Sequence, residues 1–139
     1  MRKFMFILSC LAALLQQPDL CGGTAKAEEM HDNKITIIKK QDNGRRINIK
    51  CGDLIRIELA SMGGAGYSWY VDDLNTRYLE LVSEETKTVS GERVGAPVAT
   101  EWLFKSKKRG STRIEMDHYR VWEGKERATE HFSIELTIE

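Results

Sequence analysis

The chain is predicted to be all-β, folded as an antiparallel sandwich of the immunoglobulin-like kind. Three observations predict it. Apolar residues recur with a period of two, turn-forming residues interrupt these runs at short intervals, and little more than 100 residues remain once a leader is set aside. Beyond that leader no stretch of ten or more residues carries a helical stripe, although 78–84 can be read either way. The sequence shows no internal repeat and no linker, so one domain is expected from its 139 residues.

The elements follow in order. Met1-Arg2-Lys3 places two positive charges ahead of an uncharged run at 4–15, and Ala25-Lys26-Ala27 offers small residues at both positions a signal peptidase reads. The run has 12 residues where a spanning helix needs about 20, so it reads as the core of a signal peptide. Cleavage is expected before Glu28, giving a signal peptide of 1–27 and a domain of 28–139, exported to a periplasm or secreted. A second reading of the leader is lipid attachment at Cys21, the one route by which the protein would meet a membrane; Pro18-Asp19-Leu20 lacks the small residue expected just before such a cysteine. In the domain, Ile35 and Ile37 alternate with Thr36, and Ile47, Ile49 and Cys51 with Asn48 and Lys50. Ile55, Ile57 and Leu59 do the same with Arg56 and Glu58. Tyr67 to Val71 reads as a strand. Ile114 and Met116 then alternate with Arg113, Glu115 and Asp117, and Phe132, Ile134, Leu136 and Ile138 with Ser133, Glu135 and Thr137. Breaks are expected at Asp42-Asn43-Gly44, Gly52-Asp53, Met62 to Gly66, Ser90-Gly91, Gly95-Ala96-Pro97 and Lys108-Arg109-Gly110.

Charge and cysteine usage narrow the function. Lys plus Arg and Asp plus Glu number 21 each; without Arg2, Lys3, Lys26 and Asp19 the domain keeps 18 positive and 20 negative side chains. Nucleic-acid binding and a polybasic membrane clamp both need a basic excess that is missing. The same cut removes Cys10 and Cys21, so Cys51 is expected to stand as a small hydrophobe in a strand, with no disulfide to make in an oxidising compartment. The lone Cys51 gives no reason to prefer a disulfide dimer, and a monomer is expected.

No catalytic constellation emerges. The sequence has no G-x-S-x-G elbow, no phosphate-binding G-x-x-x-x-G-K-[ST], no H-E-x-x-H and no paired C-x-x-C. Of three histidines, His31 lies at the start of the domain and His131 has the solvent parity of its strand. His118 shares the parity of Ile114 and Met116, so it reads as a partly buried strand-end residue; Asp117 points to the other face, and the two do not converge on a ligand. Glu115 and Asp117 share a face with Arg113, which reads as a solvated strand surface. Neither an enzyme nor a metal or cofactor site is expected.

The turns carry more information. Met62-Gly63-Gly64-Ala65-Gly66 is a glycine-dense loop between a strand and Tyr67-Ser68-Trp69, and a backbone without side chains can pass close to another surface. A phosphate cradle would need a helix after the loop, and a strand follows instead. Arg120-Val121-Trp122-Glu123-Gly124 sets a tryptophan and an arginine in a charged turn, both residue types enriched at binding hot spots. The alternative for Trp122 is to fold back over the end of the sandwich.

Together these loops resemble the chagasin-type family, exported inhibitors of papain-like cysteine peptidases, over about 47–138. Where that family reads N-P-T-T-G, an aromatic and S-W, this chain reads Met62-Gly63-Gly64-Ala65-Gly66-Tyr67-Ser68-Trp69. Where it reads G-x-G-G before a strand opening T-E, here Gly95-Ala96-Pro97 precedes Thr100-Glu101. Its R-P-W is matched by Arg120-Val121-Trp122. The resemblance implies three loops at one end of the sandwich that enter a peptidase cleft and block it reversibly, without a covalent bond. It implies peptidase contact by Gly63, Gly64, Ala65, Gly66, Tyr67, Gly95, Ala96, Arg120, Val121 and Trp122. The chain departs from the family where Gly64 and Ala65 replace polar threonines, where Val121 replaces proline, and where Pro97-Val98 interrupts the glycines. These departures leave a second reading open: a non-inhibitory module that uses the same sandwich to bind an envelope protein.

Overall fold

The computed structural model describes residues 32–62, 64–89 and 95–139. The leader expected at 1–27 and the turn at Ser90-Gly91 lie outside these residues. Eight strands build the domain: β1 (Ile35–Lys39), β2 (Arg46–Ile49), β3 (Leu54–Met62), β4 (Ser68–Leu74), β5 (Leu79–Thr88), β6 (Pro97–Ser106), β7 (Gly110–Tyr119) and β8 (Glu130–Ile138). They form two four-stranded sheets, ordered β1-β3-β6-β5 and β2-β8-β7-β4. The described residues contain no α-helix, only two short 3-10 turns at Lys40–Asp42 and Lys125–Arg127.

The sandwich is the expected one, with one refinement. Most pairs are antiparallel, but β1 runs parallel to β3 and β2 parallel to β8. The cause is the order of reversals. The chain turns back after β1 and again at Cys51-Gly52, changing sheet each time, so β1 and β3 are two reversals apart and meet side by side in one sheet. The same alternation of direction has a functional consequence. The connections β3–β4, β5–β6 and β7–β8 each follow a strand running one way and precede one running back, so all three lie at the same end, as expected for the loops.

The core fills the space between the sheets by strand parity. Ile55, Ile57 and Leu59 from β3, Trp102 and Phe104 from β6, Ile114 and Met116 from β7, and Phe132, Ile134, Leu136 and Ile138 from β8 are buried. Of the ambiguous 78–84, all but Tyr78 belongs to β5, where Leu79 is buried, Ser83 is half-buried and the other residues are an exposed edge.

Three expectations are corrected. In β1 the inward residue is Ile38, 1% exposed, while Ile37 is 52% exposed. The run Ile-Thr-Ile-Ile offers apolar side chains of both parities, and pairing Ile38 with Ile57 selects the second. Asp117 is buried rather than solvated, because His131 and Lys125 close over its carboxylate on the outer face. Cys51 is half-buried against the core and is disulfide-bonded. The expectation that Cys51 makes no disulfide is therefore not met.

Candidate functional site

The loop end is assembled from short-range contacts that need glycine. Ala65 donates its N–H to the Met62 carbonyl at 3.4 Å, closing the first loop into a turn. A Cβ on Gly64 would stand 2.9 Å from the Gly95 Cα, so the first and second loops lie backbone against backbone. Gly66 has φ +74°, and a Cβ there would overlap the Trp122 ring. Both constraints, left-handed backbone and ring contact, select glycine.

The third loop is a turn in which Glu123 donates its N–H to the Arg120 carbonyl at 2.9 Å, placing Val121 and Trp122 at its corner. Trp122 rests on Gly66 and is still 68% exposed, so the folded-back and the projecting arrangements are both partly realised. The Arg120 guanidinium ties the loops together. Its Nε donates to the Ala65 carbonyl at 2.8 Å, one of its terminal nitrogens reaches Glu123 at 3.2 Å, and its carbon sits 4.4 Å from the Tyr67 ring centre.

Beneath Arg120 an aromatic column descends into the sandwich. Tyr67 stacks on His118 at 5.3 Å between ring centres, and His118 leans on Trp69 at 4.8 Å. Trp69 is buried and its indole N–H is accepted by the Ala60 carbonyl at 3.1 Å. His118 is 8% exposed, consistent with the parity reading. The Thr129 hydroxyl gives its one proton to the His118 carbonyl, so at 3.1 Å it can only accept from Nδ1. The Nε2 lone pair is then buried without a partner among the described residues. Burial pulls the His118 pKa below its ordinary 6.5; Glu130 opposes this and Lys40 adds to it.

The structure thus brings Gly64, Ala65, Gly66, Tyr67, Gly95, Arg120 and Trp122 into one contiguous surface, with Val121 beside them and exposed. Ala96 is half-buried between Gly95 and the start of β6. Gly63 lies outside the described residues. Sequence reasoning did not single out the side chains of Met62 and Val89, which are 64% and 59% exposed at the same end. Only the register brings them out: Met62 stands opposite Pro97, and Val89 donates its N–H to the Pro97 carbonyl at 3.0 Å. No group of three or more metal-ligating side chains, and no helix long and apolar enough to cross a membrane, occurs among the described residues.

A sandwich closed at one end by glycine-lined loops, a pinned arginine and an exposed tryptophan defines a binding scaffold. Residues 48–136 match the family model described as "Chagasin family peptidase inhibitor I42", and the chain belongs to that family. Among solved structures, the cysteine protease inhibitor EhICP2 from Entamoeba histolytica is similar at 25% identity and a TM-score of 0.70, covering 76% of this chain and 96% of that one. Amebosin, solved in solution, shares the fold at 19% identity and a TM-score of 0.60, covering 76% and 98% of the respective chains. PbICP-C, seen in complex with falcipain-2, shares it at 16% identity and a TM-score of 0.54, covering 77% and 92%. Comparison with curated protein sequences returned no match.

Proposed function

We propose that the chain is an exported, reversible and non-covalent inhibitor of papain-like cysteine peptidases, with residues 1–27 as its signal peptide and the three loops as the cleft-blocking surface. One observation carries the reading most: Arg120, Gly66 and Gly64 lock the first loop between the other two, so the tip is held in shape before it meets a partner. Preorganisation lowers the ordering cost of docking, which matters for a loop with this much glycine. The first loop then lies nearest the catalytic cysteine and the outer loops clasp the walls. Membership of a peptidase-inhibitor family and likeness to a named cysteine protease inhibitor support the partner class.

Trp122 is the expected hot spot, since a large apolar ring that is mostly exposed gains most from burial in a partner. Trp122→Ala is predicted to weaken inhibition of papain by about 2 kcal/mol, roughly thirtyfold. The test is a titration of purified protein against papain and a cathepsin-type peptidase with a fluorogenic substrate and a serine peptidase as control. Saturable inhibition of the cysteine enzymes alone, relieved on dilution, is the expected result. Folded protein that fails to inhibit at micromolar concentration would favour the envelope-binding reading, to which Gly64, Ala65 and Val121 in place of the family's polar and proline residues point.

A further inference from the structure

We infer that the outer face of β3, β6 and β5 at the loop end is a second apolar anchor for the peptidase, formed by Met62, Pro97 and Val89. The inference rests on the inhibitor reading and deepens it.

Register puts the three residues in one row. Met62 pairs directly with Pro97, and Val89 follows Thr88, which pairs with Val98. Residues directly opposite in antiparallel strands share a face, and Ser61, the neighbour of Met62, is buried, so the row faces outward. The next row down is Ala60, Ala99 and Lys87, Ala99 pairing with both neighbours, so the apolar row is bounded by two small side chains and a lysine. Further down comes a charged row in which Glu58 pairs with Glu101 and Glu101 with Glu85, with Lys87 bound to both Glu101 and Glu85. The apolar surface is therefore confined to the margin of the loop end.

Its position complements Trp122. Gly66 meets Trp122 on one side of the first loop, and Gly64 meets Gly95 of the second loop on the other. Across the end of the molecule the order is Trp122 and Val121, the glycine tip, then the Met62-Pro97-Val89 row. Of the eight large hydrophobic side chains exposed among the described residues, Met62, Val89, Val121 and Trp122 lie here, two on each flank of the tip. A stable interface needs about 800 Å² from each partner, and Gly64, Ala65, Gly66, Gly95 and Ala96 offer little side-chain area toward it. Apolar flanks supply that area. The partner they fit is a papain-like peptidase whose cleft carries an apolar rim on both sides; an acidic rim would meet the glutamate row.

The test measures inhibition constants for papain with the unaltered protein, the double variant Met62→Ser with Val89→Ser, Trp122→Ala, and the triple combination, with thermal unfolding of each. The double variant should inhibit about tenfold more weakly at an unchanged unfolding midpoint, because both side chains are exposed in the free protein. Its loss should multiply with that of Trp122→Ala, as for anchors that do not touch. If the unaltered protein inhibits, Trp122→Ala weakens it and the double variant does not, the second anchor is overturned and the inhibitor reading stands. If the unaltered, folded protein does not inhibit, both are overturned.

Discussion

His118 is the residue whose environment has the sharpest experimental signature. With Nδ1 engaged by Thr129, a second proton must go to Nε2, which is buried, has no acceptor among the described residues and lies in a column capped by the Arg120 guanidinium. Burial lowers its folded pKa below 6.5, so the unfolded chain takes up the proton first as pH falls. Stability contributed by neutral His118 is present above pH 6.5, declines as pH drops through that value, and levels off below the lowered folded pKa. Asp42 and Glu135 add a separate loss at lower pH, because Lys39 and Arg45 around Asp42, and Arg46 and Arg113 around Glu135, hold their carboxyls below 3.8 and 4.5. Urea unfolding at stepped pH should show the first decline in the native chain and not in His118→Phe. A second expectation concerns Gly66→Ala. It places a Cβ at φ +74° and against the Trp122 ring, costing about 1–2 kcal/mol in backbone strain and lifting the ring. Trp69 and Trp102 are buried, so a rise in acrylamide quenching of the variant reports Trp122 alone. At this scale Arg120 and Trp122 were legible because their types stand out in a turn. Met62 and Val89 were not, because their exposure depends on a register that single residues do not reveal.

At the scale of the strand, alternation was a good guide wherever only one parity was apolar. Ile55, Ile57 and Leu59 of β3, Ile114 and Met116 of β7, and the apolar residues of β8 each alternate with polar neighbours, and all are buried. β1 carries two, and the sequence pattern favoured the wrong one. Ile38→Ala is predicted to cost about 2–5 kcal/mol in denaturant unfolding, as for a buried isoleucine, while Ile37→Ala should stay within about 0.5 kcal/mol of the native chain. Equal costs would mean that the strand is paired one residue out of register. β5 was ambiguous for a different reason. As an edge strand it buries Leu79 and leaves most of its length to solvent, so little selection for alternation acts on it. The parallel pairs β1–β3 and β2–β8 were invisible locally, since strand direction depends on how many reversals separate two neighbours in a sheet.

For the whole molecule, the same count of reversals explains the site. Three connections separated along the chain are brought to one end because each links a strand of one direction to a strand of the other, and the two sheets hold them side by side. The sandwich supplies rigidity through a core running from Ile38 to Ile138, the aromatic column transmits it to Tyr67 and Arg120, and the glycines let the loops touch. The central claim, that this end occupies a peptidase cleft without a covalent bond, is tested most directly by one calorimetric titration. Folded protein is titrated into papain with its cleft empty and into papain with its cleft filled by a covalently attached peptide inhibitor. Saturable one-to-one binding to the first and none to the second is the expected result. Equal binding to both, or no binding to the empty enzyme, would contradict the central claim.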